Sequence, residues 1–293
     1  MNQNLIFAFI GGDPRQIQVI SSFAQDGHSI RTFGLENADF PKDLFIEQSD
    51  SLSACLDGAD IVVLPFPYTT GGEIIRSSFS SAPIYTNDVL RQMDSRQILL
   101  AGRADEQLRS LTSLYNIHFI DYGKREELLI ANAIPTVEGA LEIAMRETPF
   151  TIHGSRSLVL GYGRIGKLLA KSLKDLGAAT AVAARKQRDL AWISAQNLKE
   201  IPFSKLSEHI GNYDLIFNTI PTMVLDFRML SEIPESSLII DLASNPGGID
   251  FDTAKLLKKK VIWALSLPGK VAPHTAGNII KGTIQNILDE LGV

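Results

Sequence analysis

At 293 residues the chain is long enough for two domains of ordinary size, and a composition of 45% hydrophobic and 21% charged residues excludes a disordered protein. A formal net charge of −5 with no long basic stripe argues against nucleic acid as a partner. The single cysteine, Cys55, excludes an internal disulfide and a Cys-x-x-Cys metal pair, so no metal site and a reducing, cytoplasmic compartment are expected. The first five residues lack a signal peptide's basic region, and no apolar run reads as membrane-spanning.

Residues 5–10 read as a buried strand, followed by Gly11-Gly12-Asp13-Pro14-Arg15-Gln16 and a helix through Ile17, Val19, Ile20 and Phe23. Further strands are expected at 29–33, 61–64, 98–101 and 117–120, with helices at 72–79 and 104–114. Strands alternating with helices imply a parallel sheet covered on both faces. Residues 1–133 thus read as a Rossmann-like, substrate-side domain, because Gly11-Gly12 lacks a third glycine at cofactor spacing. Pro135 opens a connecting helix over 134–149. Residues 150–275 form the second domain, with strands near 180–184, 214–218, 238–242 and 261–265 and a short edge element at 201–203. The final helix, 276–293, is expected to cross back onto the first domain. The fold class is α/β: two Rossmann-like parallel-sheet domains with an interdomain cleft.

The second domain opens on Leu158-Val159-Leu160-Gly161-Tyr162-Gly163-Arg164-Ile165-Gly166. Three apolar residues run into Gly-x-Gly-x-x-Gly, and Ile165, Leu168, Leu169, Leu173 and Leu176 continue at helical spacing. The first glycine permits the turn, the second admits a pyrophosphate, and the third lets helix and strand pack closely. An NAD site would carry an acid about 20 residues past the first glycine. Here Ala184, Arg185, Lys186 and Arg188 stand there, with no carboxylate before Asp189, which favours the 2′-phosphate of NADP.

Ligands of open parallel sheets bind beyond the carboxyl ends of the strands. In the second domain that rule selects Thr219, Ile220, Pro221, Ala243 and Ser244 to border the nicotinamide. In the first it selects Arg15, Thr69, Thr70 and Arg103. Thr69-Thr70-Gly71-Gly72 is expected to start a helix, where the threonines either hold a carboxylate or merely cap. His28, His118 and His209 read as surface or loop residues. His153 precedes the fingerprint strand and His274 the returning helix, which makes them the candidate acid/base groups. Pro273-His274 is similar to the Pro-His segment of 2-hydroxyacid dehydrogenases, but the turn Ala243-Ser244-Asn245-Pro246-Gly247 lacks the arginine those enzymes use.

Several segments together resemble the A-subunit family of dipicolinate synthases from spore-forming bacilli. They are Ile10-Gly11-Gly12-Asp13-Pro14-Arg15-Gln16, Thr69-Thr70-Gly71, Ile134-Pro135-Thr136-Val137-Glu138-Gly139, Thr151-Ile152-His153-Gly154-Ser155, Asn218-Thr219-Ile220-Pro221, Asp241-Leu242-Ala243-Ser244 and Leu267-Pro268-Gly269-Lys270-Val271-Ala272-Pro273. The resemblance implies oxidation of dihydrodipicolinate to pyridine-2,6-dicarboxylate during sporulation, with NADP as acceptor. It also implies a partner, a second, flavoprotein-like subunit. Arg15 and Arg103 are then cationic candidates for a dicarboxylate, and Asn132 with Glu138 could hold a water that takes the proton. Two alternatives stay open: a hydroxyacid- or alanine-type dehydrogenase, and a non-catalytic dinucleotide-binding regulatory subunit. The sequence also leaves self-association open.

Overall fold

Apolar residues on both sides of β1 (Ile6–Ile10) set the architecture. Phe7 and Phe9 enter one hydrophobic cluster, while Ala8 and Ile10 enter another. A strand buried on both faces belongs inside a sheet covered twice. The computed structural model describes residues 4–293, in two compact units: the chain up to Asn132 together with Ala272–Val293, and Ala133–Val271.

After β1 the first unit runs α1 (Pro14–Gln25), β2 (Ser29–Phe33), β3 (Ile46–Gln48), α2 (Leu52–Leu56), β4 (Ile61–Val63), β5 (Ile74–Ile75), β6 (Ile84–Tyr85), α3 (Thr86–Gln92), β7 (Ile98–Ala101), α4 (Glu106–Leu114), β8 (His118–Asp121) and α5 (Glu126–Ala131). Its parallel sheet has the order β3-β2-β1-β4-β7-β8, the doubly wound arrangement in which the chain reverses direction beside the first strand. Asp13 caps α1 by accepting from the Arg15 amide, and Pro14 occupies the first turn, where its missing N–H costs nothing.

The helix expected over 72–79 does not form. Gly71 and Gly72 take φ of +135° and +79°, and the β-branched pair Ile74–Ile75 then joins β6 in a two-stranded antiparallel ribbon. Thr69 accordingly caps no helix: its hydroxyl accepts from the Gly71 amide and donates to the Gly72 carbonyl.

The second unit runs α6 (Ala133–Glu147), β9 (Arg156–Leu160), α7 (Arg164–Asp175), β10 (Ala179–Ala184), α8 (Gln187–Ala195), β11 (Lys199–Pro202), α9 (Leu206–His209), β12 (Leu215–Asn218), α10 (Phe227–Glu232), β13 (Leu238–Asp241), α11 (Phe251–Leu256), β14 (Lys260–Trp263) and α12 (Leu267–Val271). Its sheet order is β11-β10-β9-β12-β13-β14, all parallel. Val159 faces the cluster built with α6 and α7; Leu158 and Leu160 face the one built with α9, α10 and α11. Helix α6 is part of this unit, with Gly139 against Leu267 and Val271 of α12.

The stretch Glu126–Glu147 does have the length and a mean hydropathy of 1.4 that a membrane span needs, contrary to the reading of the sequence alone. Half of its most apolar window is buried inside the protein, as in a core helix, and Glu138, Glu142 and Arg146 interrupt its surface.

Helix α13 (Pro273–Leu291) returns to the first unit and lies along α1. Ile280, Ile284, Ile287 and Leu288 are buried in the cluster of Phe7, Phe9 and Phe23. Lys281 pairs with Asp26 and lies over the Phe23 ring. Gly277 sits where a side chain would meet the Arg15 carbonyl oxygen at 2.7 Å, so the two helices approach at backbone distance. Truncating the fully buried Ile284 in Ile284→Ala is expected to cost about 2–5 kcal/mol, read as a lower urea midpoint; an unchanged midpoint would mean the returning helix contributes nothing to the core.

Candidate functional site

In the second unit the fingerprint turn has the geometry a dinucleotide requires. Gly161 has φ of +99°, and a Cβ there would meet Thr219 Oγ1 at 2.5 Å. At Gly166 a Cβ would lie 2.2 Å from the Gly161 carbonyl oxygen, so only glycine lets α7 pack against the turn. Gly163 differs: a Cβ there meets nothing within 4 Å, which leaves open space at the helix start. No side chain caps α7 at Gly163, so the positive end of a twelve-residue helix faces the turn. These residues fit a pyrophosphate.

Beside the turn lies a cavity of about 300 Å³ lined by Gly161, Tyr162, Ala184, Arg185, Phe203 and Ile220, among others. Arg185 places its guanidinium carbon 5.3 Å from the Phe203 ring centre, a cation–π contact beside the tip of β10. Lys186 and Arg188 are exposed on the same tip, and Asp189, half-buried at the cavity wall, lies 3.4 Å from Arg188. The Tyr162 ring packs into the core, with Lys167 over it; burial pushes the phenol pKa up, and Asp189 adds to the shift.

The loops after β12 and β13 hang on one buried pair. Asn218 and Asp241 face each other in register at the ends of neighbouring strands, both fully buried, and Asn218 Nδ2 donates to Asp241 Oδ1 at 2.8 Å. Asp241 also accepts from the amides of Ala243 and Gly248, at 3.0 and 2.9 Å. Asn218 accepts from the Ile220 amide, and Trp263 Nε1 donates to the Ala243 carbonyl. Thr219 turns its hydroxyl away from the cavity, donating to the Leu160 carbonyl at 2.8 Å behind the fingerprint.

In the first unit, Arg15 is buried and grips Asp13 with Nε and Nη2, the latter at 2.6 Å; Nη2 also donates to the Phe66 carbonyl. Burial alone would raise the Asp13 pKa, but the hydrogen bonds from Arg15 and the charges of Arg15 and Arg76 together hold it below its ordinary 3.8. At the end of β7, Arg103 adopts a left-handed φ of 62° and is exposed, while its amide donates to Asp121 at 2.9 Å.

Two family descriptions cover most of the chain. That of the N-terminal domain of the dipicolinate synthase A subunit matches residues 6–123, and "Shikimate / quinate 5-dehydrogenase" matches residues 142–263. Over 293 residues, 99% of this chain and 98% of the relative, the sequence is 33% identical to the A subunit of dipicolinate synthase from Bacillus subtilis. The chain belongs to the family of dipicolinate synthase A subunits. Crystal structures of the dipicolinate synthase A subunit from Bacillus halodurans (TM-score 0.90, 30% identity, 98% and 99% of the two chains) and of its counterpart from Bacillus subtilis (0.89, 33%, 100% and 98%) have the same architecture. An L-alanine dehydrogenase, 14% identical with a TM-score of 0.63 over 97% and 90% of the chains, shares the fold alone. Family and fold together make the chain a dinucleotide-binding, oxidoreductase-type protein.

Within this member of the dipicolinate synthase family the cofactor candidates come together: Gly161, Tyr162, Gly163, Arg164, Ile165 and Gly166 form the turn, and Ala184, Arg185, Lys186 and Arg188 the adjoining tip. Thr219, Ile220 and Pro221 and the pair Ala243, Ser244 follow neighbouring strands at the same sheet end. His153 does not join them. It is exposed beside Gly177 at the amino end of β9, about 17 Å of strand away from Gly161. His274 is exposed in the first turn of α13, in a groove with Gln18, Asp39 and Asn278. Arg15 is committed to Asp13, Asn132 caps α5, and Glu138 is exposed on α6. His28, expected at the surface, is half-buried edge-on to Phe7 and Phe23, and burial lowers its pKa.

Phe203, the Asn218–Asp241 pair and Arg76 escaped the reading of the sequence. Polar residues ending the apolar runs at 215–218 and 238–241 were a visible signal for the pair; nothing local marks Phe203.

Two outcomes are expected. Gly163→Val should leave the melting temperature nearly unchanged yet weaken dinucleotide binding at least about tenfold, because its side chain enters the phosphate space; equal binding by calorimetry would remove the turn from the site. Asp13 contributes stability that is fully present above its unfolded pKa, near 3.8, and lost as pH falls through its lower folded value. Asp13→Asn should therefore flatten the loss of stability on acidification in chemical-denaturation curves.

Proposed function

We propose that the chain oxidises dihydrodipicolinate to pyridine-2,6-dicarboxylate with NADP, in sporulation, as one member of a pair with a flavoprotein-like second subunit. One observation carries the reading: in a chain that matches the dipicolinate synthase A subunit from end to end, Arg185, Lys186 and Arg188 follow β10, and no acid stands at the strand's end itself. The substrate ring loses a hydride and a proton and becomes aromatic. NADP, when bound, supplies the hydride acceptor. The start of α7 would hold the pyrophosphate, and Arg185, beside Phe203, would grip the 2′-phosphate. Thr219, Ile220, Pro221, Ala243 and Ser244 border the nicotinamide on loops set by Asn218 and Asp241. Arg103, Thr69 and Thr70 stand on the substrate side, beyond the strand ends of the first unit.

Because aromatisation supplies much of the driving force, the protein's main task is to place the reacting carbon. His274 is the histidine at the substrate end of the first unit, since α13 starts beside the start of α1. It is the proposed proton acceptor; the placement of His153 gives it no such part.

Reconstituted with its partner, the chain should reduce NADP with dihydrodipicolinate, whereas the partner alone should not. Arg185→Ala should reduce the preference for NADP over NAD about 10- to 100-fold, the worth of one charged hydrogen-bond pair. Turnover should fall about tenfold or more in His274→Ala and stay unchanged in His153→Ala. A wild-type chain that binds both dinucleotides equally would sink the NADP assignment.

A further inference from the structure

Three charged side chains meet beyond the carboxyl end of β1, and their charges do not cancel. Asp13 supplies one negative charge. Arg15 takes both of its oxygens, donates to the Phe66 carbonyl and lies over the Phe66 ring, with only 7% of its side chain exposed. Arg76 approaches the same carboxylate, Nη2 to Oδ2 at 3.2 Å, but keeps 24% of its side chain open. Among the described residues Asp13 is the one acid within ion-pair distance of Arg76. One carboxylate between two guanidiniums leaves a positive charge over, and it resides on the arginine that solvent reaches.

The backbone of Arg76 is fixed as firmly as its charge. Its carbonyl accepts from the Gly12 amide at 2.9 Å, and its amide donates to the Tyr68 carbonyl at 2.8 Å; the Tyr68 amide in turn donates to the Gly102 carbonyl at 2.9 Å. These bonds tie the segments beyond β1, β4 and β7 side by side, from Arg76 across to the turn that carries Arg103. Strands β1 and β7 are two places apart in the sheet, about 10 Å, a span that two arginine side chains can close around one six-membered ring.

We propose that Arg76 is the anchor for a carboxylate of the substrate in the first unit, oriented by the Asp13–Arg15 pair, and that Arg15 itself does not bind the ligand. The inference rests on the reading of the substrate as a small ring dicarboxylate. A guanidinium matches a carboxylate with two parallel N–H groups, so an arginine held in place by a buried acid loses little freedom when it binds.

The test titrates the full chain with pyridine-2,6-dicarboxylate, benzene-1,3-dicarboxylate and NADP by calorimetry. In Arg76→Gln, dicarboxylate binding should weaken about tenfold or more while NADP affinity stays at the wild-type value and the chain stays folded; wild-type dicarboxylate affinity would overturn the anchor. Should Arg76→Gln unfold, Arg76→Lys decides: it keeps the charge beside Asp13 but loses the fork, so binding about threefold weaker is expected, and undiminished binding overturns the proposal. Arg76-dependent binding of the benzene acid without binding of the pyridine acid would keep the anchor and defeat the dihydrodipicolinate reading. Failure of wild type to bind either acid would overturn the anchor, and NADP binding would still stand apart from it.

Discussion

Buried carboxylates at strand ends fasten the working edge of each sheet. A parallel sheet delivers its strand-to-helix loops to the carboxyl end of its strands, where backbone amides have no strand to pair with and must find another acceptor. Asp13 serves the start of α1 and two guanidiniums. Asp121, ending β8, accepts from the amides of Arg103, Ala104 and Gly123 and from Arg109. Asp241 accepts from Ala243, Gly248 and Asn218. Each acid is nearly or fully buried, and a charge so placed is tolerated because every oxygen is met by a donor. The same bonds fix the loops at the carboxyl ends of both sheets.

The glycine fingerprint shows how such an edge can be selective without side chains. Gly161 and Gly166 are required by their neighbours, since a methyl group would collide with Thr219 or with the Gly161 carbonyl. Gly163 is required by nothing in the chain itself, and the space beside it is open at the start of α7. Outside the turn, Phe203 on the segment after β11 lies under the guanidinium of Arg185, just past the end of β10.

Most of the architecture was legible in the sequence because its determinants are local. The apolar runs at 6–10, 98–101, 156–160 and 215–218 could only be buried strands, and the amphipathic run of the last helix had one apolar face to hide. The ribbon at 74–85 was misread because Ile74, Ile75 and Phe79 fall at spacings that fit a helix, while the positive φ of Gly71 and Gly72 is a property of the folded turn. Site roles were less legible. Arg15 carries the same charge as Arg76, and only the folded structure reveals that a buried acid consumes one and leaves the other partly open to solvent. His153 is adjacent in sequence to the fingerprint strand but enters it from the far end, and proximity along the chain is a poor guide across a strand.

The cluster of Phe7, Phe9 and Phe23 is closed by residues 280–288. The second unit, by contrast, is one uninterrupted stretch of chain. During synthesis on the ribosome it can therefore finish folding while the first unit's aromatic cluster, packed on one side by α1, still has the face that α13 covers open. That face is sticky until translation reaches the last helix, so chaperone demand and premature termination fall on the half of the protein made first.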